Sequence, residues 1–212
     1  MARGRSQSQE ERWRLFVALE LPSAVRDALV AWRDRVLAGG DVALRPVGRA
    51  ELHVTLCFLG SCPGGAVEAI GAACSVVGGR GRPALRVGEA VWLPRRRPGV
   101  LAVVVDDVEG RLAEVQGALA RALVSIGTYE LEARPFVPHI TIARVRRGAK
   151  VPRRLLELES PEAFFGRLLR NDEADVQRTA HPLRFEGERV TLYRSVPGRG
   201  GSRYESLHVV EL

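Results

Sequence analysis

The feature of this sequence that most constrains its fold is a pattern that occurs twice: histidine, any residue, threonine, then an aliphatic residue. It begins at His53 (HVTL) and again at His139 (HITI), although the chain holds only four histidines. A strand-like apolar segment beginning at Leu15 precedes His53 by 38 residues, and another beginning at Leu101 precedes His139 by the same 38. Each half therefore predicts a strand, a helix, a connection and a strand that carries the motif. Such a duplication usually packs about a pseudo-twofold axis, which would bring the two histidines face to face.

Alternation along a strand decides which side chains of each motif act together. Alternate residues share one face of a sheet and lie about 6.5–7 Å apart. His53 and Thr55 are therefore predicted to point the same way, and so are His139 and Thr141. Either motif alone would be interpreted more simply as a histidine on a half-polar strand face. The recurrence of the motif with a matched lead-in favours a groove lined by two imidazoles and two hydroxyls.

Two imidazoles in one groove favour acid–base catalysis near neutral pH, because one ring can be neutral while the other is protonated. The hydroxyls of Thr55 and Thr141 are suited to donate hydrogen bonds to the oxygens of a phosphoryl group. Arg144, five residues after His139, would add a cation only if the strand bends or bulges, since strict alternation points it away. The near symmetry of the motifs leaves open which histidine is the acid and which is the base.

Other kinds of catalytic site fit the sequence less well. Neither motif supplies the third ligand that a metal site needs, so we predict no metal and no cofactor. Cys57 would share the His53 face of a regular strand, but no nucleophile turn surrounds it, and packing is the simpler interpretation. The segment GSCPGG (60–65) lacks the lysine of a phosphate-binding glycine loop. Acid–base transfer at phosphorus without a metal is the best match.

Charge and cysteine usage bear on partners and compartment. The net charge of +7 is carried almost entirely by arginine, because Lys150 is the only lysine. Guanidinium groups suit phosphate oxygens, which favours RNA or a nucleotide as partner, although codon composition is an alternative explanation. Three cysteines without zinc-ligand spacing favour a reducing compartment. With no apolar run near the roughly 18 residues of a membrane span and no export signal in the first residues, we expect a cytoplasmic monomer that does not bind membranes.

The remaining pattern predicts a single catalytic domain over residues 13–212, preceded by a flexible polar tail at 1–12. Residues 146–182 are predicted to form a charged, irregular connection that contains one short helix capped by Ser160. Helices with an apolar stripe are predicted near 22–37 and 109–126. A further helix is predicted near 66–77, where glycines lower the helix propensity. Further strands are predicted at 84–94, 99–108, 183–196 and 202–212.

These residues resemble the two-histidine (2H) phosphoesterase superfamily, whose members carry paired His-x-Thr-hydrophobic motifs on duplicated half-domains. Four ordered segments are similar to its bacterial RNA 2′,3′-cyclic phosphodiesterase branch, once called 2′-5′ RNA ligases: RLFVALELP (14–22), LHVTLCFLG (52–60), PFVPHITIARV (135–145) and LYRS (192–195). The resemblance covers nearly the whole chain. It implies a bilobal α+β fold in which duplicated α/β units carry antiparallel sheets that line a central groove.

The resemblance also implies the roles of the site residues. His53 and His139 would be the catalytic pair, with His53 as the proton donor and His139 as the proton acceptor, and Thr55, Thr141 and Arg144 would bind phosphate. The implied reaction is metal-independent hydrolysis of a 2′,3′-cyclic phosphate at an RNA end to a 2′-phosphomonoester. An RNA 5′-hydroxyl in place of water would give 2′-5′ ligation.

Two other functions remain open on the sequence. One is a catalytically silent RNA-binding module, against which the intact threonines count. The other is a phosphodiesterase of the same fold that acts on small cyclic nucleotides or on 2′-5′ linkages. Arginine-rich loops suited to a longer strand count against that second alternative.

Overall fold

The structure, a computed structural model, describes residues 11–38, 43–94, 96–151, 155, 158–171, 183–198 and 201–212. Its strands are β1 (Arg12–Glu20), β2 (Leu44–Pro46), β3 (His53–Pro63), β4 (Ala84–Leu93), β5 (Val100–Asp107), β6 (His139–Val145), β7 (Arg184–Glu186), β8 (Arg189–Gly198) and β9 (Gly201–Glu211). Its α-helices are α1 (Ser23–Val36), α2 (Val67–Cys74), α3 (Arg111–Ser125) and α4 (Pro161–Asn171). None of these described helices is long and apolar enough to cross a membrane.

The strands form one sheet in the order β7-β4-β5-β6-β3-β1-β8-β9, with β2 paired to β6. Every pairing between the described strands is antiparallel. The half built on β1 and β3 meets the half built on β5 and β6 through a short contact in which Val54 lies opposite Ile140. The predicted α+β class with duplicated units is confirmed, and the antiparallel sheets of the two units are continuous with each other.

The two units share a strand–helix–strand order, because β1, α1 and β3 in the first match β5, α3 and β6 in the second. The apolar stripes predicted for the helices are buried: Val25, Leu29 and Trp32 in α1, and Leu112, Val115, Leu119 and Leu123 in α3. Burial of each such side chain contributes roughly 1.5–3 kcal/mol, so these stripes hold the helices against the protein core. Helix α3 lies beneath β3, where the Gln116 amide donates to the Leu56 carbonyl (3.4 Å).

A bulge follows each His-x-Thr motif at the same place. In the β1–β3 pairing, Leu56 has no cross-strand partner on β1. In the β5–β6 pairing, Ile142 likewise has no cross-strand partner on β5. An extra residue of this kind reverses the alternation beyond it, so the residue five after each histidine returns to the histidine face. That residue is Phe58 in the first unit and Arg144 in the second. Cys57, which a regular strand would place beside His53, is instead buried on the other face.

The segment predicted as one strand over 183–196 is divided in two. Strand β7 pairs with β4 and β8 pairs with β1, so the two pieces join opposite sides of the sheet. Between them, the amide of Gly187 donates to the Pro83 carbonyl (3.0 Å). A Cβ on Gly187 would lie 2.9 Å from side-chain carbons of both Leu19 and Pro83, so glycine fits this crossing and larger residues do not.

The predicted tail and the predicted irregular connection are described only in part. Residues 1–10, 152–154, 156–157 and 172–182 lie outside the described residues. Arg12, assigned to the tail by its polar surroundings, is the first residue of β1, and Glu11 accepts a hydrogen bond from Arg194 (2.8 Å). Within the connection, α4 begins as predicted, with the Ser160 hydroxyl accepting the Ala163 amide (3.1 Å) as an N-cap.

Candidate active site

The two His-x-Thr motifs lie side by side at the junction of the two units. Val54 is the cross-strand partner of Ile140, and both side chains are fully buried. In this antiparallel register, the neighbouring positions place His53 opposite Thr141 and Thr55 opposite His139. Alternation turns all four side chains to the opposite, open face of the sheet. Opposed residues in such a pairing have Cα atoms about 4.5–5.5 Å apart, so groups from both strands can contact one phosphate.

Each of the two histidine rings is held by a hydrogen bond of the same kind. His53 Nδ1 donates to the Glu51 carbonyl (2.7 Å), and His139 Nδ1 donates to the Val137 carbonyl (2.9 Å), two residues back in each case. A carbonyl oxygen only accepts, so the proton is fixed on Nδ1 and Nε2 is the free nitrogen of each ring. The Nε2 of His53 accepts a hydrogen bond from the Thr55 hydroxyl (3.1 Å), so one phosphate oxygen could contact both groups.

Aromatic rings surround His53 on one side. Its ring centroid lies 5.0 Å from that of Phe16, 5.3 Å from that of Tyr204 and 6.5 Å from that of Tyr193. The Tyr193 hydroxyl donates to the Glu20 carboxylate (3.0 Å), and burial beside that carboxylate raises the pKa of Tyr193 to about 12. Tyr193 is therefore a neutral, fixed part of the wall beside His53.

Burial also sets the protonation of His53. It lowers the pKa of His53 to about 4, and the cations of Arg144 and Arg26 act in the same direction, against the hydrogen bond to Glu51. The ring is consequently neutral at pH 7 in the protein without a bound anion. The Nε of Arg26 is buried and has no hydrogen-bond partner among the residues that the structure describes.

A groove of about 670 Å³ opens in front of these side chains. Three of the predicted site residues, His53, Thr55 and Arg144, line it. His139 and Thr141 are not among its lining residues and lie beside it on β6. Arg144 reaches the groove because β6 bulges at Ile142, the condition that the sequence left open.

Among the described residues, four arginines line the groove: Arg14, Arg45, Arg144 and Arg203. Arg203 pairs with Glu205 (2.6 Å), whereas the other three have no carboxylate partner in the part of the chain that the structure describes. Arg45 lies directly across from Arg144 in the β2–β6 pairing. Like charges placed opposite each other destabilise a sheet, so this arrangement favours an anion bound between them.

Sequence reasoning missed much of the groove wall. Arg14 and Phe16 reach the groove from β1, Arg45 from β2 and Tyr204 from β9. No local motif marks these residues, because the pairing of distant strands places them. The only available signal was their polar or aromatic character within predicted strands, which many other residues of the chain share.

The chemistry of the site suits a phosphoryl anion. Two imidazoles with free Nε2 atoms can accept and donate protons, and two hydroxyls with an unpaired guanidinium can bind negatively charged oxygens. Within the described ranges, no group of three or more histidine, cysteine, aspartate or glutamate side chains is placed to hold a metal ion. The arrangement can therefore bind a phosphate ester and move protons to and from its oxygens.

Comparisons with known proteins agree with this chemistry. Residues 21–199 match the family model described as the 2′-5′ RNA ligase superfamily. A Geobacillus stearothermophilus protein named RNA 2′,3′-cyclic phosphodiesterase is 30% identical over 65% of this chain, which covers only 44% of that protein's length. A Thermus thermophilus protein of the same name is 33% identical over 72% of this chain and 79% of that protein. The fold is similar to that of E. coli LigT complexed with 3′-AMP, with a TM-score of 0.69 at 23% identity over 95% of this chain and 98% of that one.

Proposed function

We propose that this chain, which belongs to the 2′-5′ RNA ligase superfamily, hydrolyses 2′,3′-cyclic phosphate ends of RNA to 2′-phosphomonoesters without a metal ion. The observation that carries the proposal is the paired geometry of the histidines, which lie on adjacent strands and are each held through Nδ1. The names of the curated relatives support the substrate. We also propose that the chain acts as a monomer in the cytoplasm. Its three buried, free cysteines support a reducing compartment: Cys57, Cys62 and Cys74.

In the proposed step, His139 Nε2 removes a proton from water as the water oxygen bonds to phosphorus. The bond from phosphorus to the ribose 3′ oxygen breaks, and His53 donates the Nε2 proton to that oxygen. Thr55, Thr141 and Arg144 stabilise the charge on the oxygens that remain on phosphorus. Each proton transfer contributes about 10²- to 10⁴-fold to the rate. A ribose 5′-hydroxyl in place of water would form a 2′-5′ linkage through the same geometry.

The donor role requires His53 to gain a proton when the substrate binds. The pKa of about 4 leaves the His53 ring neutral at pH 7. A bound phosphate anion offsets the nearby cations of Arg144 and Arg26 and accepts a hydrogen bond from the protonated ring. Both effects stabilise the charged imidazole, so the pKa of His53 should rise on binding.

We expect a nucleoside 2′-phosphate to raise the pKa of His53 by about one unit or more, because an adjacent anion favours the protonated ring. NMR titration of histidine-labelled protein, with and without the nucleotide, measures the shift. The spectrum of His53→Gln identifies the resonance. A pKa that stays the same on binding would contradict the donor role of His53 and favour an exchange of roles between the two histidines.

An oligoribonucleotide that ends in a 2′,3′-cyclic phosphate, incubated with excess chelator, tests the proposed function. We expect turnover at the same rate with and without chelator, a 2′-phosphate as the product by phosphorus NMR, and a bell-shaped dependence of rate on pH. Loss of activity in chelator with recovery in a divalent metal would contradict the metal-independent mechanism. Binding without turnover would favour a silent RNA-binding module.

A further inference from the structure

A carboxylate is placed directly across from His53 in the sheet, but it does not enter the groove. Glu20 is the cross-strand partner of His53 in the β1–β3 pairing. Directly opposed residues share one face of a sheet, with Cβ atoms about 4.5–5.5 Å apart, so a glutamate side chain at this position is long enough to reach the imidazole. Glu20 is nevertheless not among the described residues that line the groove, and it lines a separate cavity of about 20 Å³ beside Arg189.

Two hydroxyl groups of β8 turn the Glu20 carboxylate away from His53. The carboxylate oxygen Oε1 accepts a hydrogen bond from the Thr191 hydroxyl (2.7 Å) and another from the Tyr193 hydroxyl (3.0 Å). The other oxygen, Oε2, lies 3.7 Å from the Nε of Arg189. Strand β1 pairs with β3 along one edge and with β8 along the other. All three contacts therefore draw the carboxylate to the edge of β1 that is remote from His53.

These contacts are made inside the protein, where the direction of the carboxylate is fixed. Thr191 is fully buried, and it is the one polar side chain that is buried among the described residues. A buried hydroxyl needs a hydrogen-bond partner, and a bond to a carboxylate is stronger than one to a neutral acceptor. The ring of Tyr193 stacks on Phe16 at a centroid distance of 5.3 Å, which holds the second hydroxyl in place. The Glu20 side chain itself is only 19% exposed.

The direction of this carboxylate matters because of the other groups around His53. The charged or titratable groups near the ring come from α1, β6, β8 and β9: Arg26, His139, Arg144, Tyr193 and Tyr204. Glu51, which lines the groove, has its carboxylate against Gly48. A further carboxylate beside His53 would favour the protonated ring and would repel an anion bound in front of it.

We propose that Thr191 and Tyr193 are positioning residues whose hydroxyls hold the Glu20 carboxylate on the β8 side of β1 and so keep the anion site beside His53 free of negative charge. This inference rests on the proposed function, in which the anion is a phosphate ester. The imidazole is then left without a permanent carboxylate partner, and its Nε2 stays available to the substrate.

Removal of both hydroxyls, in the double variant Thr191→Val with Tyr193→Phe, tests the proposal because each replacement keeps the shape of the side chain. The released Glu20 carboxylate should raise the pKa of His53 by about one unit or more, since a nearby opposite charge favours the protonated ring. It should also weaken the binding of inorganic phosphate at pH 7 about tenfold, because like charges repel. NMR titration of histidine-labelled protein measures the first change, and calorimetry measures the second.

The same double variant in a Glu20→Gln background separates release of the carboxylate from loss of packing. No carboxylate is then available to turn, so the pKa of His53 and the affinity for phosphate should match those of Glu20→Gln alone. Thr128→Val is a matched control outside the groove, where the hydroxyl donates to the Leu123 carbonyl (3.2 Å). This replacement should leave both measurements at their native values.

Equal changes in the two backgrounds, or no change in the native background, would overturn the proposal and leave Thr191 and Tyr193 with a packing role alone. If thermal unfolding shows that the double variant does not fold, Tyr193→Phe alone gives the same comparison, with smaller shifts of the same sign.

These measurements do not depend on turnover, so they distinguish this inference from the proposed function. The expected shifts in a protein that leaves cyclic ends intact would overturn the function alone. Turnover of cyclic ends without the shifts would overturn this inference alone.

Discussion

His53→Gln and His139→Gln are each expected to lower kcat/KM for a cyclic-ended oligonucleotide by about 10²- to 10⁴-fold, because each removes one of the two proposed proton transfers. Glutamine can still donate a hydrogen bond to the carbonyl that holds each ring, at Glu51 or Val137, so the strands should keep their geometry. The double variant should lose little more than the worse single variant, since groups that act as a unit are not additive. Steady-state kinetics of the three variants measures these losses.

His208→Gln is the matched control for the loss of a histidine. His208 lies on β9 outside the groove, with Nε2 3.3 Å from the Ser75 hydroxyl, so its replacement should leave kcat/KM unchanged. Thermal unfolding of each variant separates catalytic loss from unfolding. Native turnover in a folded His53→Gln or His139→Gln variant would mean that the replaced histidine is not catalytic.

Arg144→Gln is expected to lower kcat by about 10²- to 10³-fold, the cost of removing one group that stabilises transition-state charge. The guanidinium reaches the groove on the histidine face, where the proposed mechanism develops negative charge on the phosphoryl oxygens. Because that charge is greater in the transition state than in the bound substrate, the loss should appear more in kcat than in KM. Arg144→Lys keeps the charge but not the planar fork, so we expect an intermediate loss.

Arg146→Gln removes the same charge two residues further along the chain. Arg146 is exposed and is not among the residues that line the groove, so its loss should not change kcat. An equal effect of Arg144→Gln and Arg146→Gln would mean that Arg144 acts only through the overall positive charge of the protein. An effect of Arg144→Gln on KM alone would mean that it binds substrate and transition state equally.

The duplicated strand–helix–strand order and the open face of the two motifs were predictable because both follow from short-range periodicity. Strand alternation puts His53 with Thr55 and His139 with Thr141, and the internal repeat predicts that the two pairs meet. Arg144 shows the limit of this reasoning. Nothing in the segment HITIARV indicates that β6 has a bulge in its pairing with β5. Without that bulge, the Arg144 guanidinium would face away from the groove.

The rest of the fold and of the groove depends on long-range pairing, which a local pattern does not contain. Arg45 faces Arg144 only because β2 pairs with β6, and Tyr204 approaches His53 only because β9 follows β8. The division of the predicted 183–196 strand has the same origin, since a close contact of Gly187 with two distant residues decides it. Such contacts are set by packing between segments far apart in the chain.

The central claim, that the two histidines act on different oxygens of one phosphorus, is tested most directly with a cyclic-ended substrate in which sulfur replaces the bridging 3′ oxygen. A thiolate leaves without taking up a proton, so the general acid is no longer required. We predict that His53→Gln regains most of its lost rate on this substrate and that His139→Gln does not. Recovery in His139→Gln alone would exchange the roles of the two residues. Equal recovery in both variants, or recovery in neither, would contradict the division into one acid and one base.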